Sequence, residues 1–204
     1  MKEKRLFPVI YMFVITLIIS SAVIGFSQYT QERVQANQQL NFEVAVLKVL
    51  PGMYNPNLSS VELHKKFLEQ VNEPTAQTSG AYTLKKNGLI QAYALPIEGK
   101  GFWAEIKAVI GIEPDMKTIT GFAVYQQRET PGLGAEISKK EFTNQFDDLK
   151  ISIEGKPVTF RRPGEKLEQG QVHAVTGATQ TSVRLEKIIN DSLEQWRKEI
   201  QTQK

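Results

Sequence analysis

Hydrophobic and polar positions along the chain fall into three regimes. Leu6 to Phe26 is an almost unbroken apolar run without a charged residue. As a helix rising about 1.5 Å per residue it crosses roughly 30 Å of hydrocarbon, and Pro8 lies near its start, where a helix tolerates it. Gln28 to Gln39 is polar and continues the helix as a stalk, after which Asn41 caps a further apolar segment, Phe42 to Leu50, that stops at Pro51-Gly52. Ser59-Ser60-Val61-Glu62 has capping-box spacing and opens a helix whose Val61, Leu63, Phe67, Leu68 and Val71 mostly face a core. His64, beside Lys65 and Lys66, reads as a solvated residue without a role.

From Ala81 the period becomes two. Ala81 to Lys86 and Leu89 to Leu95 flank Asn87-Gly88, a strong two-residue hairpin signal, with Tyr82, Leu84, Ile90 and Ala92 available for buried faces. Trp103 to Ile112 and Thr118 to Gln126 bracket Glu113-Pro114-Asp115-Met116 as a second hairpin. Ser138-Lys139-Lys140-Glu141 repeats the capping-box spacing before a short helix carrying Phe142 and Phe146, and Leu149 to Ile153 and Val158 to Phe160 are short strands around Gly155. Helical spacing returns in Val183, Leu185, Ile188, Ile189, Leu193, Trp196 and Ile200, which predicts a terminal helix over Ser182 to Ile200. The expected fold is α+β: a single N-terminal transmembrane helix, then one domain with an antiparallel sheet flanked by helices.

Length and composition narrow this picture. A chain of 204 residues with 41% hydrophobic content buries one sizeable core. Of the formal net charge of +3, two come from Lys2, Glu3, Lys4 and Arg5, so the remainder gives no basis for nucleic-acid binding. Lys2, Lys4 and Arg5 leave the N-terminus in the cytoplasm and send the rest outside. A cleaved signal peptide, cut near Ala22 or Gly25, is the alternative, although the apolar run exceeds the roughly 7 to 15 residues of a signal core. With no cysteine, the chain forms no disulfide and carries no thiolate-held cluster or metal site.

Candidate chemistry lies in two loops. In Gln171-Val172-His173-Ala174-Val175-Thr176-Gly177-Ala178-Thr179-Gln180-Thr181-Ser182, Gly177 and Ala178 admit close backbone approach. Thr176, Thr179, Thr181 and Ser182 offer hydroxyls, and the following helix presents unpaired N–H groups, so the segment can hold a phosphate. The same residues also suit an ordinary hydroxyl-rich helix cap. In Glu129-Thr130-Pro131-Gly132-Leu133-Gly134, one proline and two glycines allow a tight loop, which bare turn chemistry explains equally well. Arg161 and Arg162 could meet a phosphate or a partner, though a solvated turn is the plainer reading.

Thr176 to Ser182 resembles the (S/T)GATxTS signature of the FMN-binding family that contains NqrC, of the sodium-translocating NADH:quinone oxidoreductase (Nqr), and RnfG, of the related Rnf complex. Glu129 to Gly134 is similar to the ETPGLG motif of the same proteins, and Gly99-Lys100-Gly101-Phe102-Trp103 to their GKGLW segment. The resemblance implies FMN joined through its phosphate to Thr179, with Thr176, Gly177, Ala178, Thr181 and Ser182 around the attachment point. It also implies Glu129, Thr130, Leu133 and Gly134 lining the site. Phe102 and Trp103 read rather as core anchors at a strand start than as flavin contacts. The implied division is 1–27 cytoplasmic tip and transmembrane helix, 28–80 helical stalk and packing helices, and 81–204 FMN-binding domain.

A threonine hydroxyl is a poor nucleophile, and no base is evident beside Thr179, so attachment calls for an external enzyme. The resemblance implies a magnesium-dependent FAD:protein FMN transferase, and as further partners the membrane and the other subunits of an Nqr- or Rnf-type complex. No catalytic residue and no metal ligand is assigned to this chain, and it has no complete active site of its own. Where the family usually has aspartate, three residues before the TGAT threonine, this chain has His173, which cannot reproduce a carboxylate. The implied function is electron transfer. A flavin-free or reversibly FMN-binding tethered scaffold, or a flavin carrier on another extracytoplasmic route, are the alternatives. Chain length suits the Rnf type, whereas Gly99 to Trp103 and Glu129 to Gly134 lean toward Nqr, and the balance tips slightly to Nqr.

Overall fold

Helix α1 spans Glu3–Val49 without a break in the computed structural model, which describes residues 3–152 and 155–202. The chain divides into two compact parts between residues 39 and 40. In the first part the apolar side chains from Leu6 to Phe26 are exposed on every face, and the helix is long and apolar enough to cross a membrane. An apolar surface all round suits lipid, where a helix also satisfies its own backbone. Asn41 does not cap a new helix. The helical register runs through it, and Ala45, Val46, Leu47 and Val49, buried in the core of the second part, belong to the same helix.

The second part is built on a six-stranded antiparallel sheet in simple chain order. Its strands are β1 (Val71–Asn72), β2 (Tyr82–Lys86), β3 (Leu89–Lys100), β4 (Glu105–Ile112), β5 (Thr118–Gln126) and β6 (Leu149–Lys150). Asn87 and Gly88 both have positive φ, as a type I′ hairpin turn demands. Both faces of the sheet are covered. On one, Ala92, Ala94, Val109 and Ala123 pack against the end of α1 and against α2 (Ser60–Gln70). On the other, Ala108, Ile110 and Ile112, alternating with Val109, pack against α4 (Thr179–Thr202) and the single-turn α3 (Lys140–Thr143). Gly111 is required where α1 ends: a Cβ there would lie 2.3 Å from the Val49 carbonyl oxygen, which accepts a 2.6 Å hydrogen bond from Thr120 Oγ1.

Several expectations are revised. The capping box of Ser59 and Glu62 forms, yet Val61 and Leu68 face outward and only Leu63, Phe67 and Val71 are buried, since one helical stripe cannot hold all five. His64 is not idle: its Nδ1 lies 2.7 Å from Oε2 of Glu43, a carboxylate almost fully buried on α1, and a buried carboxylate is costly without partners. Ser138 caps nothing. A 3₁₀ turn over Gly134–Ser138 runs directly into α3, putting Lys139 in the cap position without a side-chain hydrogen bond. Val183 is exposed on α4. The strand expected over Leu149 to Ile153 reduces to β6, Ile153 lying outside the described residues. β7 (Thr159–Arg161) pairs in parallel with β8 (Gln171–His173) as a separate two-stranded sheet.

At the β4–β5 turn, Asp115 accepts from the Lys117 and Thr118 amides and the Thr118 hydroxyl. Burial opposes its ionisation, but these bonds and nearby Lys150 outweigh it, so its pKa lies below the ordinary carboxylate value. Stability from this group is therefore complete above the unfolded carboxylate pKa and is lost as pH falls through the lower folded value. Asp115→Ala is expected to cost about 1 kcal/mol at neutral pH through the lost turn hydrogen bonds. Its melting temperature should converge on that of the parent in acid; a gap that stays constant from neutral to acid pH would contradict the assignment.

Candidate functional site

Three segments meet at the N-terminus of α4. The first is the tight β3–β4 turn, closed by a 2.8 Å bond from the Gly101 amide to the Ala104 carbonyl. Phe102 and Trp103 project from it, 44% and 67% exposed, with their rings 5.0 Å apart and edge-to-face. They are not core anchors: the turn lies between the ends of β3 and β4 and leaves both side chains exposed. The Trp103 indole N–H donates to Thr130 Oγ1 at 3.1 Å.

The second segment is the loop Glu129 to Gly134. Its Thr130 carbonyl accepts from both the Leu133 and Ala135 amides, and Gly132 takes φ +74°, a conformation that an L side chain strains. The third joins β8 to α4. There the Ala178 amide bonds the Val175 carbonyl, the Val175 amide donates to Ser182 Oγ, and the first helical bond runs from the Ser182 amide to the Ala178 carbonyl. Gly177, at φ +74°, lies so near Leu133 that a Cβ would be 3.0 Å from Cδ2. Ala178 thus occupies the cap position of α4, and it has no side-chain oxygen for the free amides of the first turn.

Glu129 links the three segments from within. Its carboxylate is 5% exposed; one oxygen accepts from the Trp103 amide at 3.0 Å and the other from the Thr181 hydroxyl at 2.6 Å. Between the segments opens a cleft of about 350 Å³, within the size range of ligand pockets. Thr130, Leu133, Gly134 and Trp103 form one side, and Gly177, Ala178, Thr179 and Gln180 the other. The Thr179 side chain is exposed in the first turn of α4.

Of the ten residues singled out in the sequence, eight share this cleft: Glu129, Thr130, Leu133, Gly134, Gly177, Ala178, Thr179 and Thr181. Thr176 faces a second, larger cavity of about 680 Å³ beyond the two loops, with His173, Gln145 and Glu136. Ser182 is buried behind the loop. The hydroxyls of Thr181 and Ser182 are engaged within the protein, so among the four hydroxyl residues Thr179 is the one exposed in the cleft. His173 is fixed by β8: its amide donates to Gln145 Oε1 and its Nε2 meets the Glu165 carbonyl at 2.9 Å. Arg161 and Arg162 are exposed and line neither wall. Phe102 and Trp103 are cleft residues that their sequence pattern did not mark as such; their place in a glycine-bounded turn was the available signal.

Residues 101–194 match the FMN-binding domain family. The chain is 30% identical over 193 residues to the G subunit of the proton-translocating ferredoxin:NAD(+) oxidoreductase complex of Clostridium ljungdahlii, covering 95% of this chain and 92% of that protein. It belongs to the FMN-binding domain family. The C subunit of the Na(+)-translocating NADH-quinone reductase of Vibrio alginolyticus is 34% identical over 110 residues, covering 52% of this chain and 43% of that protein. The fold matches the crystal structure of the corresponding C subunit from Parabacteroides distasonis with TM-score 0.68 and 26% identity, over 83% of this chain and 96% of that one. The family match begins at Gly101 and ends at Glu194, and so takes in all three segments of the cleft.

The cleft suits FMN on its own chemistry. An uncapped helix N-terminus offers amides and partial positive charge to a phosphate. The exposed Trp103 and Leu133 supply flat apolar surface, and the cleft carries no charged group beyond a carboxylate whose two oxygens are already bonded.

Proposed function

We propose that this chain is a membrane-anchored electron-transfer subunit with FMN attached as a phosphoester of Thr179. The observation that carries the reading is the placement of Thr179: an exposed hydroxyl at the uncapped start of α4, inside the cleft that joins both family motifs. FMN supplies one- and two-electron chemistry, while the protein holds and orients it. Residues 1–27 would be the cytoplasmic tip and single membrane crossing, 28–80 the stalk and packing helices, and 81–204 the flavin-bearing domain on the outer side. Covalent attachment suits a carrier there, where a dissociable cofactor would be lost.

Attachment requires an external enzyme. Among the described residues no carboxylate or imidazole hydrogen-bonds the Thr179 hydroxyl, and both oxygens of Glu129 are occupied. A transferase using FAD would let the Thr179 oxygen attack the FMN phosphorus, breaking the pyrophosphate bond and releasing AMP, with the hydroxyl proton taken up by a base of that enzyme. The partners are then this transferase and the other subunits of a membrane redox complex. The near full-length match to the Clostridium G subunit favours an Rnf-type assembly over an Nqr-type one, against the slight lean to Nqr drawn from Gly99 to Trp103 and Glu129 to Gly134.

Intact mass of the full chain, co-expressed with a flavin transferase, tests the reading. The expected product is heavier by one FMN less water and fluoresces in a denaturing gel. An unmodified mass beside an active transferase would leave a reversible FMN binder or a flavin-free scaffold instead.

A further inference from the structure

We infer that Glu129 is the positioning residue of the cleft: its buried carboxylate locks the β3–β4 turn, the Glu129 to Gly134 loop and the first turn of α4 into one frame that fixes Thr179 relative to Trp103. This deepens the flavin reading and rests on it for its consequence at Thr179, while the frame itself is a property of the protein without flavin.

The three segments are distant in sequence, and turns at the ends of a sheet are mobile unless something ties them. Two of the ties converge on one carboxylate, from the Trp103 amide 26 residues away and from the Thr181 hydroxyl 52 residues away. The loop that carries Glu129 is the third element of the frame, and its start is set by a 2.6 Å bond from the Glu129 amide to Gln127 Oε1. Bonds to a carboxylate are among the stronger ones in proteins, and burial raises the cost of breaking them.

The surroundings are shaped to admit this group. A Cβ on Gly101 would lie 2.6 Å from Glu129 Oε1, and one on Gly134 would lie 2.5 Å from Thr181 Oγ1 and 2.9 Å from Glu129 Oε2. Neither glycine has the positive φ that would otherwise call for glycine. At Gly134 the carboxylate and Thr181 fill the space; at Gly101 the carboxylate shares it with the Ala104 carbonyl oxygen, 2.6 Å from the Cβ position, and Ile106. Thr181 is two residues from Thr179, so the bond that anchors it also sets the direction in which the helix presents the attachment hydroxyl.

Three variants of the full chain test this. Glu129→Ala removes both acceptors. Glu129→Gln keeps the acceptor for the Trp103 amide, and its NH₂ can donate to the Thr181 hydroxyl turned to accept. Gly134→Ala keeps the Glu129 carboxylate but wedges a Cβ between it and Thr181 Oγ1. Hydrogen exchange of the Trp103 amide, read without flavin, is expected to speed up at least tenfold in Glu129→Ala and to stay near the parent rate in Glu129→Gln, with central β4 and β5 amides unchanged in both. Transferase-dependent loading of Thr179 should fall at least tenfold in Glu129→Ala and Gly134→Ala, and Glu129→Gln should restore it to within about threefold. Parent-like Trp103 exchange in Glu129→Ala overturns the frame whether or not flavin attaches. Loss of loading in Glu129→Ala that Glu129→Gln fails to rescue, with β4 and β5 protection intact, overturns the positioning role. A parent protein that never loads overturns the covalent reading alone, and the exchange result still decides the frame.

Discussion

Thr179→Ala is expected to abolish flavin attachment outright, leaving the unmodified mass and no in-gel fluorescence, while Thr179→Ser retains at least part of it. The phosphoester needs one specific oxygen, and of the four hydroxyl residues in the 176–182 loop only Thr179 is exposed in the cleft. Thr181 and Ser182 have neighbouring hydroxyls, but these are 3% and 2% exposed and bonded inward. Thr176 faces the second cavity, beyond the Leu133–Gly177 contact. Thr176→Ala is therefore expected to load within a few-fold of the parent. The loss in Thr179→Ala should exceed 100-fold, because no other group can replace the missing atom. Thr179→Ala costs little stability, the side chain being exposed at the first helical position, so the mass result will not be confused with unfolding. Full loading of Thr179→Ala, or loss on Thr176→Ala alone, would move the attachment site elsewhere on the loop.

The ease with which that loop could be read contrasts with what surrounds it. Local chemistry was legible: Asn87-Gly88 sets its own turn, Ser59 and Glu62 cap each other, and the TGAT and ETPGLG runs carry short motifs whose residue types follow from backbone approach and helix capping. What the sequence concealed depends on distant pairing. The bond between His64 and Glu43 joins residues 21 apart on two helices, and a histidine followed by two lysines gives no hint of a buried carboxylate opposite it. The parallel pairing of β7 with β8 is set by distant contacts, Phe160 of β7 against Phe142 and Val172 of β8 in the same core, and not by any alternation in three-residue strands. Large aromatics usually bury, which points Phe102 and Trp103 to the core; their exposure in the cleft follows from the tight turn that carries them beyond the strands. Glu129 shows the same division. Its motif could be read, but its task, set by Trp103 and Thr181, could not.

Trp196→Ala is expected to be the most destabilising single core change, at about 3–5 kcal/mol, which for a folded part of this size lowers the melting temperature by on the order of 10 °C. Trp196 is 2% exposed, packs edge-to-face on Tyr93 at 5.1 Å, and donates its indole N–H to the Thr78 carbonyl at 2.9 Å. Truncation therefore leaves a cavity and removes one of the two donors to the Thr78 carbonyl, which keeps its bond from the Ala81 amide. Trp196→Phe keeps most of the volume and loses the donor, so it should cost about 1–2 kcal/mol. Calorimetry or thermal circular dichroism would show the ranking, and a Trp196→Phe protein as stable as the parent would deny the indole bond any part. The consequence for the cleft is indirect. Trp196 lies 17 residues along α4 from Thr179, about 25 Å at the helical rise, and it holds the far end of the helix whose start presents the hydroxyl. Below its melting temperature Trp196→Ala should still load flavin, since Glu129 fixes the near end through Thr181 independently of the far one. Loss of loading in a folded Trp196→Ala protein would instead mean that the whole length of α4, and not its first turn, sets the geometry at Thr179.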